Sequence, residues 1–169
     1  MLNDGHSELN DILIDDIKQQ LHIVSPRYFE KIVLDVLIAM GYGGSIADAG
    51  KALGQSGDGG VDGIIKEDKL GLDVIYLQAK RWENPVGRPV VQAFAGSLAG
   101  FRATKGVIIT TSKYTKEAVE YTEKISTRII LIDGDDLARF MIEHGVGVSL
   151  VRTYDVKRLD EDYFNEEEL

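Results

Sequence analysis

The chain of 169 residues contains no cysteine, which excludes disulfides and cysteine-ligated zinc and is compatible with a reducing compartment. It has no apolar run near the roughly eighteen residues that a membrane-spanning helix needs. Its opening residues, Met1 to His6, are polar and acidic, unlike a secretory leader. These absences predict a soluble, cytoplasmic chain with no membrane partner. Basic residues are the minority charge: 19 Lys and Arg against 28 Asp and Glu give a net charge of −9. A protein that relies on nucleic-acid phosphates usually shows a basic footprint. Here the distribution matters more than the sum. Acid gathers between Asp4 and Asp16 and again in Asp160, Glu161, Asp162 and Glu166 to Glu168, whereas the middle carries Lys80, Arg81, Arg88, Arg102, Lys105, Lys113 and Lys116. A local basic surface is one reading of that stretch; scattered solubilising charge is the other.

What is present fits one globular domain, with 44% hydrophobic and 28% charged residues. Leu9, Ile12, Leu13, Ile17 and Leu21 repeat at helical spacing over 8–22, with Ser7 as N-cap, and predict a linker helix. Ser25 and Pro26 open a second helix that runs to Met40 and stops at Gly41, its apolar face made by Phe29, Ile32, Val33, Val36 and Leu37. Residues 43–60 hold seven glycines and read as a loop with one poor strand near Ser45 to Ala47. Further on, 106–110 and 129–132 read as buried strands. Helices are expected over 89–101, Thr115 to Lys124, and Asp135 to His144, the last capped by Asp135. Alternating strands and helices favour parallel pairing with helices covering the sheet. Thr110, Thr111 and Ser112, at a strand's C-terminal end, are placed either to bond a phosphate or to cap the next helix.

The most informative stretch is Ser56-Gly57-Asp58-Gly59-Gly60-Val61-Asp62-Gly63, answered by Gln78-Ala79-Lys80. Residues 61–66 and 72–81 read as two strands joined by a charged hairpin loop, Glu67 to Gly71. If the hairpin is centred near Lys69 and Leu70, Asp62 lies opposite roughly position 78. Side chains alternate along a strand, so Gln78 and Lys80 share a face. Asp62, the Gln78 amide oxygen and the Ala79 carbonyl then offer a partial oxygen shell for Mg²⁺ or Mn²⁺. Lys80 beside the ion could orient an attacking water and offset charge on a phosphate. The plainer alternative makes Asp62 a turn residue, and Gln78 and Lys80 the solvated face of an edge strand. Asp58 reads as a turn cap or a second acidic group. Trp82, beside a strand end, reads as a lid on the core more than as a stacking platform for a base.

Phe29-Glu30, Met40-Gly41-Tyr42, the Ser56 to Gly63 stretch, Gln78-Ala79-Lys80-Arg81, Gly106 to Ser112 and Leu131-Ile132-Asp133-Gly134 occur in one order. In that order they resemble the catalytic domain of Mrr-type restriction endonucleases. The resemblance implies an α/β restriction-endonuclease-like core of the PD-(D/E)XK superfamily, with a central mixed β-sheet flanked by helices. By motif position it makes Asp62 the metal-binding aspartate, Lys80 the catalytic lysine and Glu30 an additional acidic residue. Gln78 stands where Asp or Glu is commoner, which removes one negative charge. Arg81, Arg88 and Lys113 are the expected DNA contacts. The domains are then a linker helix region (1–24), a catalytic domain (25–145) and a C-terminal extension with an acidic tail (146–169).

The activity implied is metal-dependent hydrolysis of double-stranded, methylated DNA by a type IV-like enzyme, with a homodimer cutting both strands. Full-length relatives carry a separate winged-helix DNA-binding region, so the 169 residues read as an isolated catalytic domain. Two other functions are compatible with the same residues: a structure-selective nuclease such as a junction resolvase, and a non-catalytic DNA-binding module.

Overall fold

The computed structural model describes residues 2–43, 60–68, 70–153, 155 and 157–164. The strand expected near Ser45 to Ala47 and the role of Asp58 lie outside them. Helix α1 spans Leu2–Ile23 and α2 spans Pro26–Ala39. A hairpin follows, β1 (Gly63–Lys66) and β2 (Val74–Lys80). Then come α3 (Arg88–Gly100), β3 (Lys105–Thr110), α4 (Lys116–Glu123), β4 (Arg128–Ile132) and α5 (Gly134–Glu143).

The sheet runs in the order β1-β2-β3-β4, with β1 antiparallel to β2 and the other neighbours parallel. This is the mixed sheet flanked by helices that the motifs imply. The β1–β2 register pairs Gly63 with Leu77 and Lys66 with Val74, so the hairpin is centred where the charged loop predicts. Asp68 closes that loop by accepting the N–H groups of Leu70 at 2.7 Å and Gly71 at 2.8 Å. Lys105, at the start of β3, bonds Asp73 at 2.6 Å and also Glu67, fastening the hairpin to the next strand.

Alternation along the strands divides the core into two layers. On one side Ile65, Leu77, Val107 and Ile109 pack with Leu21 of α1, with Phe29, Val33, Val36 and Leu37 of α2, and with Leu137 and Met141 of α5. On the other, Ile108 and Ile129 meet Val91, Phe94 and Leu98 of α3 and Ala118 of α4. The second layer is tight at Gly106, where a Cβ would stand 2.6 Å from the Phe94 ring. Helix α3 therefore lies almost on the β3 backbone, and a side chain at 106 would overpack the layer.

Helix starts follow local chemistry. Ser25 caps α2 by accepting the Tyr28 N–H, with Pro26 in the first turn, and Thr115 caps α4 through Ala118. Two expectations are corrected. Ser7 lies inside α1, which begins at Leu2, because that helix continues through the acidic segment without a break. Asp133, not Asp135, caps α5: its carboxylate accepts the Asp136 N–H at 2.9 Å. Asp135 instead bonds Lys18 of α1 at 2.5 Å, which holds its carboxyl below the usual carboxylate range. With Ile17 and Leu21 buried as well, the C-terminal half of α1 belongs to the core.

Candidate active site

Strand β1 starts one residue after Asp62, which leaves the last residues of β2 without a full backbone partner on that side. The Asp62 N–H bonds the Leu77 carbonyl at 2.8 Å, and the Asp62 carboxylate takes the Ala79 N–H at 2.7 Å. A side chain thus replaces the missing strand carbonyl, satisfying a donor that would otherwise be orphaned. That bond uses Oδ2 and leaves Oδ1 without a partner among the described residues. Asp62 is held against the β2 backbone between Gln78 and Lys80.

Gln78 is buried, at 4% exposure. Its Nε2 donates to the Gly60 carbonyl, while Oε1 is buried with no hydrogen-bond partner among the described residues. An unsatisfied buried acceptor is uncommon in a native fold and calls for an explanation. Beside Asp62, Glu30 of α2 closes a cleft of about 10 Å³ lined also by Val33, Leu34, Gly63, Leu77 and Ala79. A space of this size holds about one water-sized group. Burial raises the Glu30 carboxyl above its ordinary range, the Asp62 charge raises it further, and Arg27 acts in the opposite direction. Two carboxylates that repel across a small, partly apolar cleft are relieved by a cation between them.

By type, the oxygens at this end of β2 fit a hard divalent ion: Asp62 Oδ1 and Gln78 Oε1, each without a partner among the described residues, the Ala79 carbonyl, and Glu30 in the cleft beside Asp62. Among the described residues no three His, Cys, Asp or Glu side chains form a metal-binding group. Any such site must therefore draw on amide and backbone oxygens as well as on the acidic pair.

Lys80 has no anionic partner among the described residues, and its Nζ stands 5.5 Å from the centre of the Trp82 ring. Trp82 is 42% exposed, so it is not the core lid its position suggested; it lies outside the packed layers, under the Lys80 ammonium.

The segment carrying both residues is anchored by three hydroxyls. Thr110 Oγ1 donates to the Lys80 carbonyl at 2.8 Å, Thr111 Oγ1 to Trp82 O at 2.7 Å, and Ser112 Oγ to Glu83 O at 2.9 Å. All three residues are buried. None of them caps α4, whose cap is Thr115; their hydroxyls clamp the chain that leaves β2. The consecutive hydroxyls at a strand end were the available signal. Their partners became visible only with the β2–β3 pairing.

The expected DNA contacts are scattered. Arg81 turns inward, its Nη1 donating to the His22 carbonyl at the end of α1 at 2.7 Å. The Arg88 guanidinium lies 5.1 Å from the Tyr121 ring centre, and Lys113 is 3.8 Å from Asp135.

Residues 21–141 match the Mrr_cat family of restriction endonucleases. The chain belongs to this family. Over 163 residues, 96% of its length, it is 49% identical to the type IV methyl-directed restriction enzyme EcoKMrr of Escherichia coli strain K12. It spans 53% of that relative. Its fold is similar to that of the DNA modification-dependent restriction endonuclease AspBHI, with TM-score 0.61 and 21% identity over 81% of this chain and 36% of that one. It is also similar to MspJI restriction endonuclease solved with a 27-mer oligonucleotide, with TM-score 0.54 and 21% identity over 78% of this chain and 31% of that one. Family membership and fold therefore agree with the motif order.

Proposed function

We propose that this chain is the nuclease domain of a type IV-like, methylation-dependent restriction enzyme, hydrolysing phosphodiester bonds of double-stranded DNA with Mg²⁺ or Mn²⁺. The observation that carries the reading is the Asp62 carboxylate fixed on the Ala79 backbone beside an unpartnered Gln78 oxygen, in a member of a restriction endonuclease family. The printed description of the 49% identical relative, a methyl-directed enzyme, supports the choice of substrate.

Asp62, Gln78 Oε1 and the Ala79 carbonyl are the groups that would hold the ion, with Glu30 adding negative charge from α2. When bound, a divalent ion supplies Lewis-acid polarisation of the phosphate and a nucleophile from water at neutral pH. The chain's own residues do the positioning. Asp62 is kept in place by the Ala79 N–H, and Lys80 is kept in place by the Thr110 bond to its carbonyl and by the Trp82 face. From there the Lys80 ammonium orients the attacking water and offsets charge building on the phosphate oxygens. Arg81, Arg88 and Lys113 are proposed to contact the DNA backbone. The exposed face of Trp82 is proposed to stack on a base or sugar. One such site cuts one strand, so two copies are proposed to combine for a double-strand break. No described helix is long and apolar enough to cross a membrane, and a cytoplasmic location is part of the proposal.

The substrate is tested by incubating the chain with methylated duplex, unmodified duplex and a four-way junction in Mn²⁺. Cleavage of duplex DNA supports the reading, and preference for the methylated form supports its finer part. Cleavage confined to the junction would make the chain a structure-selective nuclease.

A further inference from the structure

The two ends of the Gln78 amide differ. Nε2 donates to the Gly60 carbonyl, whereas Oε1, which is buried, has no partner among the described residues. An amide can in principle be turned end for end. Turning this one would set Oε1 against the Gly60 oxygen, two acceptors with no proton between them. Gly60 thereby determines which end of the amide is left over. Its φ of +75° favours glycine, and a Cβ there would stand 2.8 Å from Gln78 Nε2, so any other residue would push the amide aside.

We propose that Gly60 is a positioning residue, whose carbonyl holds the Gln78 amide by its NH₂ group so that Oε1 is the atom presented to the divalent ion. The proposal rests on the reading of Asp62, Gln78 and Ala79 as an ion site. It gives the neutral residue a role that charge counting does not. Position 78 must donate at one end and accept nothing from protein at the other, and a carboxylate cannot donate. A glutamate there would turn one oxygen against the Gly60 carbonyl, so its extra charge would come with a misdirected ligand. Negative charge at the site comes instead from Asp62 and Glu30.

The test is Mn²⁺ binding to the metal-free protein, followed by the electron paramagnetic resonance signal of free Mn²⁺. It compares wild type, Gly60→Ala, Gln78→Ala and the double variant, with thermal melting of each. Outer groups that orient a metal ligand typically contribute about 10- to 100-fold in affinity. Gly60→Ala is therefore expected to weaken Mn²⁺ binding at least about tenfold with Gln78 present, and less than about twofold once Gln78 is alanine. Backbone strain at position 60 lowers the melting temperature equally in both backgrounds, which separates a structural effect from positioning. Gln78→Glu, which leaves Gly60 intact, is expected to bind Mn²⁺ more weakly than wild type. Equal affinity losses in both backgrounds, or tighter binding by Gln78→Glu, would overturn the proposal. Undiminished Mn²⁺ binding by Asp62→Ala would overturn the ion site itself, a separate result.

Discussion

Asp62 Oδ2 accepts the Ala79 N–H at 2.7 Å, so one carboxylate both completes a sheet edge and lies next to Lys80, the lysine proposed to serve the nucleophile. The two roles are separable by substitution. Asp62→Asn keeps an oxygen for the Ala79 N–H and is expected to change stability by less than about 1 kcal/mol, whereas Asp62→Ala orphans that donor and costs about 1–2 kcal/mol. Urea denaturation of the metal-free proteins measures the difference. Both variants are expected to lose cleavage by a hundredfold or more, on the order of what removing a preorganised charge costs.

Glu30 makes stability depend on pH. Its carboxyl is raised from the ordinary 4.5, first by burial and then by Asp62, so the folded state favours the protonated form. The stability this confers is complete below about 4.5 and is lost as pH rises through the higher folded value. Glu30→Gln keeps the uncharged form at every pH. Metal-free Glu30→Gln is therefore expected to match wild type at pH 4 and to exceed it in melting temperature at pH 8. Added Mn²⁺ should narrow the gap, because it stabilises only the carboxylate.

The buried hydroxyl clamp is expected to matter more for rate than for folding. Thr111→Val leaves the Trp82 carbonyl without its donor and should cost about 1–2 kcal/mol in denaturation. The folded variant should show a lower kcat with little change in KM, since the loosened segment carries Lys80. A rise in KM alone would instead assign Thr111 to substrate binding.

Trp82 is the only tryptophan, which makes its environment directly observable. Its contact with Lys80 is exposed and worth about 0.5–1 kcal/mol. Trp82→Leu should therefore melt within a few degrees of wild type. Titration with a duplex oligonucleotide in Ca²⁺ should quench the wild-type fluorescence, and unchanged emission on saturated binding would exclude stacking.

The register of the hairpin was legible because charge, glycine and alternation all place its centre near Leu70, and the observed Gly63–Leu77 pairing brings Asp62 to Gln78. Strands β3 and β4 were equally plain as short apolar runs. What sequence could not show depended on contacts between distant segments. Asp133 and Asp135 are both acceptable caps by type; Lys18, more than a hundred residues away in sequence, engages the second. Lys105 and Arg81 likewise look like free cations until the fold brings Asp73 to one and the His22 carbonyl to the other. For the same reason the hydroxyls of Thr110 to Ser112 could not be assigned before β2 and β3 were paired.

The central claim is that Asp62 and Lys80 form a metal-dependent nuclease centre. Its most direct test is cleavage of methylated plasmid DNA in Mn²⁺ by wild type, Asp62→Ala and Lys80→Ala, with folding checked by circular dichroism. Divalent-ion-dependent cleavage by wild type that is lost in both folded variants is the predicted result. Cleavage that persists in folded Asp62→Ala, or that wild type performs equally well in excess chelator, would contradict it.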